Sequence, residues 1–596
     1  MSERTIRIGC ASGFYGDSQL AATQLVRQGE IDYLVFDYLA EITMAILGRA
    51  KAKNDQLGFA VDFVSVAMQE VLADCAAKGI KVIANAGGVN VPACIRALEA
   101  LCAEQQLSLN IAGVYGDDLL PRDDLPTAEL TELASGQPLP EKLASSNAYL
   151  GAKPIADALA AGADVVVTGR VVDCAVVLGP LMHEFAWLEQ DYDLLAQGAL
   201  AGHIIECGAQ CCGGNFTDWQ RVPNFDNIGY PIAEVSASGS FIITKPEGTG
   251  GLVETATVGE QILYEIGDPA NYLLPDVICD FSQVRLEQVA EHQVQVTGAR
   301  GRAPGNRYKV CATWVDGWRL AGMFFIGGPR AAQKARVDLD AWLSRTRRHF
   351  AERNLGDYQR VCQEVIGAED TYGPHATVHD SREVMAKYAV HHHSREALQF
   401  AAAELTYLAT SGVPGMSGIA GGRARPQPLM RLHSTLIDKG LVPITVQLGE
   451  RKLPQQCYQT PADSTPASGA RYPQMSTATA GDTVSVPLEQ LAFARSGDKG
   501  NHANIGIIAR CPEYLPWLQQ QLTAAVVTDY FSHLIDGQVT RFDVPGFDAF
   551  NFLLTESLGG GGAASLRIDP QGKALGQMLL SMRIEVPANL LGTYEH

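Results

Sequence analysis

The chain has 596 residues, which is more than one hydrophobic core can organise, so its length predicts two or three domains. Hydrophobic residues make up 46% and charged residues 19% of the sequence, a globular composition that excludes a largely disordered chain. The formal net charge is −20, and no run of Lys and Arg is long enough to overcome that field locally. We therefore expect no nucleic-acid partner.

The N-terminus, the apolar stretches and the cysteines together indicate the compartment. Residues 1–9 lack an apolar segment of signal-peptide length. The most apolar long stretch, residues 156–182, is interrupted by four charged residues and does not fit a membrane span. The 13 cysteines are scattered along the chain, as is typical of reduced thiols. We expect a soluble, cytoplasmic protein without a membrane partner.

The first 190 residues alternate short apolar runs with amphipathic or Ala-rich stretches. The runs predict strands at Ile6–Ala11, Tyr33–Asp37, Ile80–Asn85, Leu109–Tyr115 and Asp164–Thr168. The stretches between them predict helices at Ser18–Gln28, Leu39–Lys53, Ala60–Lys78, Pro92–Glu104 and Ala152–Ala161. Apolar strands separated by helices indicate a mostly parallel sheet that is covered on both faces. Ligands of such sheets bind on the loops at the carboxyl ends of the strands.

From about residue 225 to 330 the pattern becomes rich in strands. Strands without helices between them are predicted at Ser236–Thr244, Val277–Leu286, Gln293–Val296, Lys309–Trp314 and Arg319–Ile326. We interpret this part as a β-rich extension, arranged as a sheet over the first layer. Helices are predicted to follow at Ala331–Arg353 and around Arg395–Thr410.

The C-terminal part reads as a separate small domain. Residues 453–486 are rich in Pro, Ser and Thr and are predicted to be a linker. Strands are predicted at Leu491–Arg495, Asn504–Ala509, Val539–Val544, Ala549–Leu554 and Met578–Val586, with a helix at Leu515–Phe531. The predicted fold is thus an α/β domain over residues 1–452, the linker, and a small α+β domain over residues 487–590.

Several short sequence motifs occur along the chain. They are Phe36–Glu41 (FDYLAE), Asn85–Asn90 (NAGGVN), Thr168–Asp173 (TGRVVD), Lys245–Gly251 (KPEGTGG), Arg495–Asn501 (RSGDKGN) and Gly559–Gly562. This set resembles the acyclic terpene utilisation family, AtuA, over about residues 4–450, and its ferredoxin-like C-terminal domain over about 487–587. The resemblance implies degradation of citronellol and geraniol through acyl-CoA thioesters. It also implies a suggested reaction, cleavage of 3-hydroxy-3-isohexenylglutaryl-CoA with release of acetate.

Retro-aldol cleavage of such a thioester needs a base, donors for the departing enolate and a cation for the free carboxylate. Asp37 and Glu41 lie four residues apart where a strand meets a helix, so they could share one face and act as base and acid. The alternative is a helix start with solvated acids. Arg170 could grip a carboxylate with two hydrogen bonds, or it could pair with Asp173 and order the loop.

Small residues offer candidate anion sites. Asn85, Gly87 and Gly88 could bind an anion at a helix N-terminus, or they could form a tight turn that requires glycine. Lys245 and Gly250 belong to a Gly-rich segment that is either a flap over the thioester or a β-turn. In the C-terminal domain, two loops could bind the nucleotide end of coenzyme A or dock the domain; their candidate residues are Arg495, Lys499, Gly560 and Gly561.

Two groups of residues can be weighed as metal ligands. Asp117 and Asp118 are adjacent, and adjacent side chains seldom point to one ion. A segment with helical spacing could hold zinc or provide a thiol or His acid/base group, but core packing is the favoured interpretation; its residues are His203, Glu206, Cys207, Cys211 and Cys212. His391–His393 is predicted to lie on a loop or helix surface. No metal ligand set is predicted, and a divalent metal stays open.

The sequence leaves more than one function open. The first is an acyl-CoA lyase or hydratase, with coenzyme A as part of the substrate and no other cofactor implied. The second is a non-catalytic partner or assembly factor of an acyl-CoA carboxylase. The third is a metal-dependent hydrolase that uses Asp37, Glu41 and Asp117. Size and acidity suit a homo-oligomer.

Overall fold

The computed structural model describes residues 4–591 except 121, 123, 127–129, 459–466, 468 and 474–481. Among these residues, no helix combines the length and the apolar character needed to cross a bilayer. All 13 cysteines are free thiols.

The N-terminal part is a parallel sheet with helices on both faces, as predicted. Its strands are β1 Thr5–Cys10, β2 Tyr33–Phe36, β3 Lys81–Ala84, β4 Ile111–Tyr115 and β6 Val165–Thr168. Strand β5 Ser145–Ala148 lies in the same stretch of chain but belongs to a second sheet. Its helices are α1 Ala21–Gln28, α2 Glu41–Lys53, α3 Gln69–Lys78, α4 Val91–Glu104, α5 Lys153–Ala160, α6 Ala175–Phe185 and α7 Tyr192–Ile205. Strands β1, β2, β3, β6 and β4 are parallel neighbours in that order. A separate hydrophobic cluster packs on each face of the sheet.

Antiparallel strands extend the edge of this sheet at β1. The next elements are β7 Ile232–Ser236, β8 Phe241–Thr244, α8 Thr255–Leu263, β9 Tyr272–Leu273, β10 Ile278–Asp280, β11 Arg285–Ala290, β12 Gln293–Thr297 and β13 Arg300–Arg302. Strand β7 pairs with β1, and β8, β12 and β11 follow outward. For these strands the prediction of a sheet over the first layer was wrong, because they continue the first sheet from the open hydrogen-bonding edge of β1. The expectation of no helix in this part was also wrong, since α8 lies within it.

A second sheet is built around one long strand. Its elements are β14 Arg307–Gly327, α9 Ala331–Arg353, β15 Arg360–Ile366, β16 Glu383–His392, α10 Arg395–Glu404, α11 Leu408–Ser411, β17 Met416–Ala420 and β18 Gln427–Asp438. Strand β14 joins two predicted strands into one and pairs with β5, β16, β17 and β18. Helices α9 and α10 pack on one face. Strands β19 Thr445–Leu448 and β20 Arg451–Lys452 then return to the first sheet beside β4.

The predicted surface position of His391–His393 was wrong in part. His391 and His392 are buried at the end of β16, with 0% and 1% of their surface exposed. The ring of His392 packs against the rings of Phe350 and Tyr358, with 5.2 Å and 5.9 Å between ring centroids.

The C-terminal part has its own antiparallel sheet and its own core. Its elements are β21 Thr483–Pro487, β22 Ala492–Lys499, β23 His502–Ala509, α12 Leu515–Gln521, α13 Ala524–Tyr530, β24 Val539–Val544, β25 Ala549–Leu554, α14 Gly561–Ala564, α15 Leu575–Leu579 and β26 Arg583–Pro587. The sheet order is β22-β23-β25-β24. This sheet docks on α8, where Phe493 stacks on Phe216 with 5.5 Å between ring centroids. Much of the predicted linker, 459–466, 468 and 474–481, lies outside the described residues, so the domain division stays a prediction.

Candidate functional site

A cavity of about 1630 Å³ opens at the carboxyl ends of β1, β2 and β6. Pockets for small molecules usually measure about 300–1,000 Å³, so this one has room for an extended ligand. The N-terminal sheet, the second sheet and the C-terminal part all contribute to its lining. Ionisable side chains on that lining include Asp37, Glu41, Arg170, Asp173, Glu206, Lys309, Asp498, Lys499 and Lys573.

Asp37 lies directly after β2, and its carboxyl group is buried. The amide of Asn85 donates to Oδ1 of Asp37, while Oδ1 of Asn85 accepts the backbone N–H of Tyr38 at 2.7 Å. Burial, together with the nearby carboxyl groups of Asp173 and Glu206, raises the pKa of Asp37 well above its ordinary value. Asn85 therefore acts by holding a carboxyl group that can exchange a proton.

Glu41, at the first turn of α2, has the opposite shift. Burial alone would raise its pKa. The cations Lys309 and Arg170 lower the pKa by more than burial raises it, so the pKa lies below its ordinary value. Its Oε1 accepts hydrogen bonds from Tyr149 Oη at 2.8 Å and from Lys309 Nζ at 3.2 Å. Glu41 is thus an ionised anchor for one tyrosine and one cation.

Arg170 is held in place by contacts on three sides. Its guanidinium lies 4.1 Å from the ring centroid of Tyr149, and Nη1 donates to Asp173 Oδ1 at 2.6 Å. Its backbone N–H donates to Asp117 at 2.8 Å. A side chain on Gly169 would collide with the carboxyl group of Asp117, so the loop needs glycine there. Nε of Arg170 is a buried donor without a hydrogen-bond partner in the described part of the chain, which is rare and calls for an explanation.

His203 and Glu206 form a buried pair beside these groups. Nδ1 of His203 lies 3.0 Å from Oε1 of Glu206, and Nε2 lies 3.2 Å from the carbonyl oxygen of Ile262. Burial, followed by the charge of Lys499, lowers the pKa of His203 to about 4, so the ring is neutral. A carbonyl only accepts, so the single ring proton is on Nε2 and Nδ1 must be an acceptor.

Glu206 therefore donates the proton in that contact. Its pKa is raised well above the ordinary value by burial and by Asp173, in agreement with a protonated carboxyl group. Its Oε2 has no partner among the described residues, and Glu206 lines the cavity. Next to it, burial raises the pKa of Cys207 well above its usual range, which favours the thiol over a nucleophilic thiolate.

The C-terminal part closes the cavity with lysines. Nζ of Lys573 lies 2.8 Å from Glu265 Oε1 and 3.0 Å from Asp498 Oδ1, and it also donates to the hydroxyl of Tyr264. Glu265 has a φ of 57°, an uncommon conformation for a residue with a side chain. Burial would raise its pKa, but Lys573 and Lys499 lower it below the ordinary value. Cations from one part of the chain thus compensate carboxylates from another.

Several predicted ligand residues lie outside the cavity lining. Gly87 donates its N–H to Thr168 at 3.0 Å, and Gly88 has a φ of 54°, so both serve a tight turn. Lys245 donates to the carbonyl of Thr249 at 2.8 Å, within its own loop.

Three further candidates make structural contacts. Gly250 donates to Asn227 at 2.8 Å in the same region of the chain as Lys245. Arg495 stacks on Tyr264 at 4.5 Å and bonds the carbonyl of Asn215 at 3.1 Å, so it joins the two parts of the chain. A side chain on Gly561 would approach the backbone of a neighbouring loop, whereas the adjacent Gly560 lines the cavity.

Other important residues carry no sequence signal. Tyr149 and Lys309 lie on or beside paired strands β5 and β14, more than 150 residues apart, and only the pairing brings them to Glu41. Glu265 and Lys573 meet only through domain docking. Among the described residues, no three His, Cys, Asp or Glu side chains are arranged to hold a metal ion.

Comparison with known proteins identifies the family. The family model described as acyclic terpene utilisation family protein AtuA matches residues 6–448, and the AtuA ferredoxin-like domain matches residues 486–585. No curated protein and no solved structure matches the chain. The first match covers well over half of the sequence, and the protein therefore belongs to the AtuA family of acyclic terpene utilisation and carries an AtuA ferredoxin-like domain.

Proposed function

We propose that the protein is an acyl-CoA carbon–carbon lyase that splits 3-hydroxy-3-isohexenylglutaryl-CoA into acetate and a 3-oxoacyl-CoA. The observation that carries the proposal is the meeting of Asp37, Arg170 and Glu206 in one cavity, although they come from three separate loops. A carboxyl group with a raised pKa, a buried cation and a protonated acid are the groups that a retro-aldol cleavage requires.

The proposed reaction conserves every proton. Asp37, in its ionised form, takes the proton of the tertiary hydroxyl, and the oxygen becomes the new ketone as the adjacent carbon–carbon bond breaks. The electron pair passes to the carboxymethyl fragment, whose enediolate charge Arg170 and Lys309 stabilise. Glu206 donates its proton to that carbon and yields acetate. Exchange with solvent then returns Asp37 and Glu206 to their starting states.

The rim of the cavity supports a terpenoid acyl chain. Most exposed large hydrophobic side chains in proteins are scattered singly, whereas a cluster marks a binding surface. Here several line one cavity: Phe14, Ile42, Ile46, Leu133 and Phe225. An isohexenyl group would bury this apolar surface, while the charged floor receives the hydroxyl and carboxylate.

The direct test is incubation of purified protein with 3-hydroxy-3-isohexenylglutaryl-CoA labelled in the free carboxymethyl group. We expect labelled acetate and one equivalent of the 3-oxoacyl-CoA. Asp37→Asn should slow release by roughly 10²–10⁴-fold. Asp226→Asn, which removes an exposed carboxyl group outside the cavity lining, should leave release unchanged. Absence of acetate, with and without added divalent metal, would reject the lyase.

Two other outcomes would point elsewhere. Conversion to a dehydrated thioester, without acetate, would identify a hydratase that uses the same base and acid. No turnover, combined with stoichiometric co-purification of an acyl-CoA carboxylase and intact function of Asp37→Asn, would favour the assembly-factor role.

A further inference from the structure

A row of cationic side chains crosses the second sheet. Arg319 on β14 and Arg360 on β15 are both direct partners of His391 on β16. Direct cross-strand partners point to the same face, so the two arginines flank the imidazole. Like charges gathered on one face destabilise a sheet unless an anion compensates them. The row therefore has an electrostatic reason to hold a ligand.

Arg431 on β18 brings a third guanidinium group to this row. A Cβ atom built on Gly560 would lie 3.5 Å from Nη1 of Arg360 and 3.6 Å from Nη1 of Arg431. Gly560 thus lies against both groups, and its own N–H donates to Oδ1 of Asn501 at 2.6 Å. Arg431 and Gly560 both line the cavity that contains Asp37.

Acceptor groups of the protein bind only some of the N–H donors of these three arginines. Arg360 donates to the carbonyl of Gly559 at 2.8 Å, and Arg319 to that of Ser565 at 3.5 Å. The one carboxylate paired with the three arginines in the described structure is Asp316, which lies 3.1 Å from Nε of Arg431. Each guanidinium has several further N–H groups in a fork that suits phosphate.

The neighbouring charged groups do not cancel the excess. Lys387 and Glu364 form a buried ion pair with each other. Arg567 donates to the carbonyls of Ser557 and Leu534 and adds a further positive charge. The net local charge is positive, within a chain whose formal charge is −20.

His391 supplies independent evidence for a ligand. It is 0% exposed, and neither ring nitrogen has a hydrogen-bond partner in the part of the chain that the structure describes. Buried polar groups without partners are rare and call for an explanation. Burial and the three arginines lower its pKa to about 4, so it presents one neutral N–H donor.

We propose that Arg319, Arg360 and Arg431, with the ring of His391, bind the phosphate groups of a coenzyme A thioester. Arginine forks bind phosphate with paired, charge-assisted hydrogen bonds. The proposal rests on the proposed function in one respect, since it takes the ligand to be the thioester whose acyl end reaches Asp37.

The test measures binding without turnover, by calorimetry with coenzyme A, dephospho-coenzyme A, pantetheine and inorganic phosphate. We expect coenzyme A to bind at least tenfold more tightly than pantetheine. Arg360→Gln and Arg431→Gln should each weaken coenzyme A at least tenfold and leave pantetheine unchanged. Arg348→Gln, an exposed arginine on α9, is the matched control and should change neither.

Three results would overturn the assignment. The first is equal affinity of the protein for coenzyme A and pantetheine, and the second is binding of free phosphate as tightly as coenzyme A. The third is equal weakening of coenzyme A and pantetheine binding by the arginine variants, which would indicate a purely structural docking role. The lyase and this subsite fail separately. Arginine-dependent coenzyme A binding without acetate release rejects only the lyase, and acetate release with no effect of the arginine variants rejects only the subsite.

Discussion

Asp37 and Glu41, four residues apart at the junction of β2 and α2, have pKa values that shift in opposite directions. Asp37 is buried and the side chain of Glu41 is 27% exposed, and desolvation alone would raise the pKa of each carboxyl group. The difference is in their neighbours, because Glu41 faces Lys309, whereas Asp37 faces the carboxyl groups of Asp173 and Glu206. One turn of the chain therefore presents a proton-exchanging group and a permanently ionised anchor.

The first prediction separates these two roles. Asp37→Asn should lower kcat by roughly 10²–10⁴-fold with little change in KM, because general-base catalysis contributes about that much. Wild-type activity should fall on the acid side well above pH 3.8, the ordinary pKa of an aspartate, since Asp37 must be ionised and its pKa is raised. Steady-state kinetics over a pH series measure both.

Glu41→Gln is the companion variant to Asp37→Asn. It removes the charge that holds Lys309 but keeps an acceptor for Tyr149, so we expect a weaker substrate complex, seen mainly in KM. Equal kcat losses in the two variants would contradict the division of roles.

The second prediction concerns the proton between Glu206 and His203. Glu206→Gln keeps a donor for Nδ1 of His203, so the variant should fold with a stability within about 1 kcal/mol of wild type. It cannot release a proton, so acetate formation should fall by roughly 10²-fold or more. Thermal unfolding and single-turnover kinetics measure the two effects.

Nuclear magnetic resonance of ring nitrogens tests the premise directly. His203 should be a neutral ring with its proton on Nε2 at pH 7, in wild type and in Glu206→Gln alike. A ring protonated on both nitrogens would mean that Glu206 is an ionised acceptor, and it would remove the proposed acid.

The sequence predicts the frame of this site better than its chemistry. The strand ends can be predicted from local patterns. The Asp37–Glu41 and Arg170–Asp173 pairs can be predicted as well, because the two members of each pair lie within a few residues of each other. Tyr149 and Lys309 are not visible, since only strand pairing brings them to Glu41. The arginine row around His391 is likewise a product of register, which no local pattern records.

The third prediction concerns stability and pH. Burial raises the pKa of Asp117 to about 7, although it accepts hydrogen bonds from the N–H of Arg170 and the amide of Asn147. The folded state thus binds the proton more tightly than the unfolded state, whose pKa is near 3.8. Between these two values, rising pH favours unfolding, and stability is lost as pH increases.

Asp117→Asn removes this dependence while keeping an acceptor for both donors. The variant should gain stability relative to wild type as pH rises from 4 to 7.5, by up to about 4 kcal/mol, since one pKa unit corresponds to about 1.4 kcal/mol. Denaturant unfolding at several pH values measures the difference in the free energy of unfolding between the variant and wild type. The contributions of the other carboxyl groups cancel in this difference. A constant difference across this range would show that Asp117 is ionised throughout.

The fourth prediction tests how closely the C-terminal Gly-rich loop fits. Gly561 and Gly422 have φ values of 77° and 76°, so alanine costs about 1–2 kcal/mol at either position for backbone reasons alone. A Cβ atom on Gly561 would lie 2.6 Å from the carbonyl oxygen of Gly500, while one on Gly422 meets nothing within 4 Å. Gly561→Ala must therefore also displace the loop that carries Gly560 into the cavity.

Gly422→Ala is the matched control. We expect Gly561→Ala to be less stable than this control by about 1–2 kcal/mol, because overpacking against a rigid backbone adds its own cost. Gly561→Ala should also weaken coenzyme A binding, whereas Gly422→Ala should not. Denaturant unfolding and calorimetry on both variants measure these differences. Equal behaviour of the two would mean that the loop adapts freely, and the close fit between Gly500 and Gly561 would then have no part in shaping the cavity.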